Sequence, residues 1–112
     1  MLAVGEHLLG WLDDRTRRMA CALGGGIGGS HQEACGALTG GVLVLGALYA
    51  RSSPDQEDTE LYRRVSAFRE QFLAEFGFTR CAELQASGFG SDGTQPCSVL
   101  VERAAQILLD GI

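Results

Sequence analysis

The chain contains no lysine: its nine basic residues are all arginine, set against fourteen acidic ones, for a net charge of −5 over 112 residues. An acidic chain without a basic run lacks the electrostatic footprint of a nucleic-acid or anionic-membrane binder, so neither partner is expected. Proline is scarce, with two residues, and the breaks fall instead to sixteen glycines. No segment alternates apolar and polar residues with period two, which argues against half-buried strands. The longest uncharged stretch, residues 34–50, falls short of the roughly 20 apolar residues that a membrane-crossing helix needs. The start carries Glu6 and His7 rather than a basic segment, so no secretory signal is expected. Cys-x-x-Cys and Cys-x-x-Cys-His are both missing, which removes the common zinc and thioredoxin patterns and covalent haem. No Gly-Lys-Ser/Thr follows the glycine run, so it is not a Walker loop.

What is present suits one small helical domain spanning residues 1–112. Apolar residues make up 46% and charged residues 21%, too apolar a balance for disorder. A chain of this length can bury about two-thirds of its unfolded surface without staples. Residues 1–12 read as a first helix weakened by Gly10. It opens without a cap residue, so an earlier turn is expected to be missing. Asp13 and Asp14 cap a second helix through Leu23. The glycine run, Gly24, Gly25, Gly26, Ile27, Gly28 and Gly29, is either a flexible connector or a loop whose amides form an anion nest.

Residues 35–50 form a third helix, apolar nearly all round and therefore central. Its Gly36 and Gly40 permit close approach of a neighbouring helix or of a second subunit, and a homodimer is expected. Ser53, Pro54, Asp55 and Gln56 make a start signal for a fourth helix. That helix buries Leu61, Val65, Phe68, Phe72 and Phe76 and stops at Gly77. Thr79 caps a short helix holding Cys81 and Leu84. A loop covers residues 87–95, and Pro96 opens a last helix with a stripe of Cys97, Leu100, Val101, Ala104 and Leu108. The expected fold is all-α: a compact bundle of five or six helices, with a glycine-rich loop before a buried central helix.

The four cysteines are too few to build a disulfide miniprotein, and the reducing cytoplasm is the expected compartment. Cys35, Cys81 and Cys97 each fall at the start of an expected helix, where the helix dipole and free amides favour thiolate and lower the pKa. Three kinds of role use such sulfur. Thiolates ligate a metal or iron–sulfur cluster, which generally takes four protein ligands. Two thiols cycle with a disulfide, Cys35 attacking and Cys81 or Cys97 resolving. Free cysteines also simply pack, as in a structural or assembly domain. Cys21, late in the second helix, and His31, four residues before Cys35, are the further candidate ligands. The residues expected to line a cofactor are Gly24, Gly25, Gly26, Gly36 and Gly40.

The glycine loop, then Glu33-Ala34-Cys35-Gly36-Ala37-Leu38-Thr39-Gly40, then Cys81 and Cys97, resembles a prokaryotic family of redox-active proteins. The family takes its name from a CGAxxG motif and four recurring cysteines. The likeness runs from the second helix to the end. It implies that Cys35, Cys81 and Cys97 are the redox or ligand residues, and that Gly36, Ala37 and Gly40 complete the motif. Related portions of split-Soret cytochromes c associate non-haem cysteines with an iron–sulfur centre, so the resemblance implies a cluster or another metal and an unknown redox partner. The family's first cysteine lies on an early helix where this chain has none; Cys21 is too close to Cys35 to be that residue. Aligning the first helix places it upstream of Met1, and a cluster would then need Cys21, His31 or a second subunit to complete it.

Overall fold

Asp13 shows how local chemistry sets the helix starts. Its carboxylate accepts the Thr16 amide at 2.8 Å, satisfying one of the donors that a helix leaves unpaired, and α2 begins at the next residue. The computed structural model describes residues 2–89 and 97–112. Among these it forms six helices: α1 (Leu2–Leu9), α2 (Asp14–Cys21), α3 (Gly36–Tyr49), α4 (Thr59–Phe76), α5 (Cys81–Ala86) and α6 (Cys97–Asp110). The expected Pro96 start of α6, the loop at residues 90–95 and Met1 lie outside the described residues. No helix among them is long and apolar enough to cross a membrane. The all-α expectation therefore holds, with six helices. The nearest thing to a sheet is an isolated antiparallel bridge between Ala34 and Arg80.

The core follows from three stripes. On α4, Phe68, Phe72 and Phe76 recur every four residues and are buried, with ring centroids 6.3 and 4.6 Å apart in succession. On α6, Leu100, Ala104 and Leu108 have the same spacing, and α3 contributes Ala37, Leu38, Val44 and Leu45. Helix α3 packs against α1, α4 and α6, which confirms its central place. Its opposite stripe is open, however, and leaves Leu43 48% exposed. Gly77 ends α4 in the left-handed region at φ +84°, donating to the Leu73 carbonyl at 2.8 Å, as its position predicts.

The start of α4 differs from expectation. Ser53-Pro54-Asp55-Gln56 forms a turn, and the helix begins at Thr59. The Gln56 carboxamide oxygen accepts from the Ser52 amide and hydroxyl at 3.0 and 2.9 Å instead of serving a helix start. Arg51 donates to the carbonyls of Pro54 and Gln56, and Asp58 takes the Arg51 amide. The segment from Arg51 to Asp58 satisfies its own polar groups, so the capping signal is spent inside a loop. At the other end of the bundle Arg64 stacks on Tyr49 at 4.1 Å and donates to the Gly111 carbonyl. That tethers the end of α6 to α3 and α4.

Phe72 has no exposed surface, so Phe72→Ala should lose about 3–5 kcal/mol of stability in denaturant titrations. Tyr62→Ala, at a side chain 67% exposed, should change it by no more than about 0.5 kcal/mol.

Candidate functional site

The glycine loop is an ordered left-handed turn. Gly25, Gly26, Ile27, Gly28, Gly29 and His31 have φ values from +59° to +72°, a region that glycine enters at little cost and a β-branched residue rarely does. Ile27 bears that cost. The amides of Ile27, Gly28 and Gly29 donate to the carbonyls of Leu23, Ala22 and Gly24, and the His31 amide donates to Gly25. Most of the donors an anion nest would aim at a ligand are thus consumed by the loop itself.

What the loop builds is a seat for Cys81. A Cβ at buried Gly26 would stand 2.7 Å from the Cys81 Cβ and 2.9 Å from the His31 Cα, so only glycine fits. The chain leaving the loop runs antiparallel to the segment before α5. The Cys35 amide donates to the Thr79 carbonyl at 2.8 Å, and the Cys81 amide to the Glu33 carbonyl at 2.9 Å. The Ala82 amide reaches the His31 carbonyl at 2.9 Å, and the Arg80 guanidinium holds the Gln32 carbonyl. The first donors of α5 are therefore met by a distant strand-like segment. Thr79, expected as the cap, contributes its carbonyl to Cys35, while Arg80 occupies the cap position.

The thiols fall where the helix starts fall. Cys35 is the half-buried N-cap of α3, Cys81 is the buried first residue of α5, and Cys97 is the exposed first residue of α6; none is in a disulfide. Cys35 and Cys81 do not have the lowered pKa that helix starts suggest. Burial pushes the Cys35 thiol up, and negative charge on Cys81 or Cys97 pushes it further, against the opposing pull of the Ala37 and Leu38 amides. Burial, then Cys97, raises Cys81 in the same direction. Cys35 thus responds to charge on Cys81 and Cys97, and Cys81 to charge on Cys97.

His31, placed by sequence beside Cys35, in fact contacts Cys81, with Nδ1 3.3 Å from Sγ. The imidazole is exposed and the thiol buried, so His31 links that sulfur to solvent. Cys21 lies elsewhere, on the wall of a hollow between α1, α2 and α3 that Gly36 and Gly40 also line. Gly24 packs under Gly36, its Cα 3.5 Å from where a Gly36 Cβ would be. The close approach foreseen at Gly36 is thus to the loop rather than to a helix.

Among the described residues no three His, Cys, Asp or Glu side chains gather closely enough to hold a metal ion. A tetrahedral zinc site needs such a set within bonding distance, so the described donors as they stand do not form one.

Two measurements check this geometry. Gly26→Ala should cost about 2–5 kcal/mol, from the left-handed φ together with the clash on Cys81. Gly28→Ala, where a Cβ meets nothing within 4 Å, should cost only the conformational part, about 1–2 kcal/mol. The raised thiol pKa values have a second consequence. Between the unfolded thiol pKa of about 8.5 and the higher folded one, the native state holds more protons, so stability falls as pH rises. The reduced protein should keep its melting temperature up to about pH 8 and lose stability above it. Cys35→Ala should remove part of that alkaline loss.

Neither the comparison with curated proteins nor that with solved structures finds a match. A family model described as "Putative redox-active protein (C_GCAxxG_C_C)" matches residues 1–110, which takes in α1 as well as the motif and the downstream cysteines. With nearly its whole length matched, the chain belongs to the C_GCAxxG_C_C family of redox-active proteins.

Proposed function

We propose that the chain is a thiol–disulfide oxidoreductase working through Cys97, Cys81 and Cys35. The observation that carries this reading is the contact between the exposed His31 imidazole and the buried Cys81 sulfur at 3.3 Å. Burial first, and then charge on Cys97, raises the pKa of Cys81, and both act on Cys35 as well. A cysteine that merely packs has no use for such a partner.

We order the events by exposure, which makes Cys97 rather than Cys35 the attacking thiol in this proposal. Cys97, the exposed thiol of the three, attacks a disulfide of the redox partner as thiolate. It forms a mixed disulfide and releases one partner sulfur, which takes up a proton. Cys81 then gives its proton to His31 Nδ1, in the tautomer protonated at Nε2, and attacks the Cys97 sulfur. The second partner sulfur leaves and is protonated in turn. Two protein thiols have lost two electrons and two protons, and the partner disulfide has gained both. A dithiol reductant reverses the sequence. Cys35, held protonated by burial and by its neighbours, is the reserve resolving thiol. We place this chemistry in the cytoplasm, where the thiols are returned to the reduced state, and in a homodimer.

Reduced protein treated with one equivalent of a small aromatic disulfide should yield a Cys81–Cys97 disulfide by peptide mapping. Cys81→Ser should instead accumulate the mixed disulfide on Cys97. His31→Ala should slow resolution by about 10²-fold at neutral pH without slowing the first attack. Two outcomes would overturn the reading. One is a wild-type protein that stops at the mixed disulfide. The other is a brown chromophore, formed with iron and sulfide and lost in each of the three cysteine variants, which would assign the cysteines to a cluster.

A further inference from the structure

The contact of His31 Nδ1 with Cys81 Sγ at 3.3 Å joins two segments far apart in the chain. His31 holds it from the left-handed region, at φ +61°. A residue with a Cβ keeps that conformation only where its surroundings impose it. Most of those surroundings are backbone. The His31 amide donates to the Gly25 carbonyl at 2.8 Å, and the His31 and Glu33 carbonyls accept from the amides of Ala82 and Cys81, each at 2.9 Å. The Gln32 carbonyl stands between those two acceptors, and no backbone amide among the described residues serves it. Arg80 takes it instead, donating from Nε at 3.2 Å and from Nη2 at 3.0 Å. We propose that Arg80 is a positioning residue, whose hold on the Gln32 carbonyl keeps the His31 imidazole against the Cys81 sulfur, an assignment that rests on the thiol–disulfide reading above.

Connectivity singles out this side chain. Arg80 immediately precedes Cys81 and occupies the cap position of α5, while Gln32 immediately follows His31. One guanidinium therefore spans from the residue beside the sulfur to the residue beside the ring. Two N–H groups of a rigid fork on one oxygen fix direction as well as distance, which a lone ammonium does less well. Ser30 braces the other flank: its hydroxyl accepts the Gln32 amide at 3.2 Å and donates to the Gly26 carbonyl at 2.8 Å. Both of those groups belong to the loop that carries His31, whereas Arg80 ties that loop to the helix that carries the thiol. Charge is not the means, because burial and Cys97 are what shift the Cys81 thiol. Arg80 is exposed, and exposed side chains are commonly replaced with little loss of stability. Proton transfer is more demanding, since it needs the ring within hydrogen-bond reach of the sulfur. A brace of this kind affects the reaction more than the fold.

The full chain, reduced, is compared as wild type, Arg80→Ala, Arg80→Lys, His31→Ala and the Arg80→Ala/His31→Ala double variant, with the small aromatic disulfide as substrate. Arg80→Ala should slow resolution of the Cys97 mixed disulfide by about 10- to 100-fold, the scale of a displacement near 1 Å. The first attack should keep its rate, and circular dichroism its helical signature. Arg80→Lys retains a donor and should recover most of the loss. In the His31→Ala background Arg80→Ala should slow resolution no further, because its effect passes through the imidazole. A second readout needs no turnover. In the reduced protein a nuclear Overhauser contact between the His31 ring and the Cys81 β-protons should be present in wild type and Arg80→Lys and lost in Arg80→Ala. A contact that survives in Arg80→Ala would overturn the assignment. So would an Arg80→Ala loss that persists in full without His31. Resolution indifferent to His31→Ala would instead overturn the thiol–disulfide reading, and the Overhauser contact would then decide by itself whether Arg80 holds the ring.

Discussion

A missing side chain holds the site together. Gly26 presents its bare backbone to Cys81, and the space where its Cβ would be is already taken by the cysteine's own. Because the loop can come that close, the chain beyond it lies along the segment before α5, and the amides of Cys35, Cys81 and Ala82 find their carbonyls. Two helix starts separated by more than forty residues are thereby fixed against each other. Buried amide donors must be paired somewhere; here the pairing itself sets the relative position of Cys35 and Cys81. The glycines are spent on folding a mould around a thiol, and the left-handed Ile27 and His31 show that the mould is imposed against local preference.

That placement decides the electrostatics. A helix start favours thiolate, but the effect is worth about 0.3–1 kcal/mol when exposed and fades within a turn. Burial opposes the charged form more strongly. At Cys35 the two act on one sulfur, and burial outweighs the amides of Ala37 and Leu38. At Cys81 the first amides of α5 are already committed to Glu33 and His31 carbonyls, so little of the helix end remains to stabilise a charge. Position at a helix start therefore does not activate these two thiols.

The parts of this fold that were legible in the sequence are those governed by neighbours along the chain. Asp13 caps α2, Gly77 stops α4, and the phenylalanine stripe with a period of four points inward, because each depends on residues within a turn or two. The same short range explains the failures. Ser53 to Gln56 carries every local mark of a helix start, yet Arg51 and Asp58 draw its polar groups into a loop. Thr79 looks like a cap, but its carbonyl is claimed by Cys35 from across the chain. The motif and the spaced cysteines pointed to the family, while the His31–Cys81 contact depends on a left-handed turn. The one legible trace of that turn was the density of glycine before His31.

The lack of lysine bears on what these sulfurs can do. No arginine acts on the Cys35 or Cys81 thiol, and Arg80, the closest in sequence to Cys81, is turned to the Gln32 carbonyl. Without a nearby cation, each thiolate formed makes the next harder to form, so the site resists holding several negative sulfurs at once. A disulfide relieves that resistance, since it replaces two potential charges by a neutral bond. In the proposed reaction, the burial and repulsion that raise the Cys81 pKa would favour its disulfide with Cys97 once Cys97 has reacted. In the same proposed reaction His31, exposed to solvent and touching the buried thiol, would supply the route by which the proton leaves. On this reading the poor stabilisation of thiolate drives the second step.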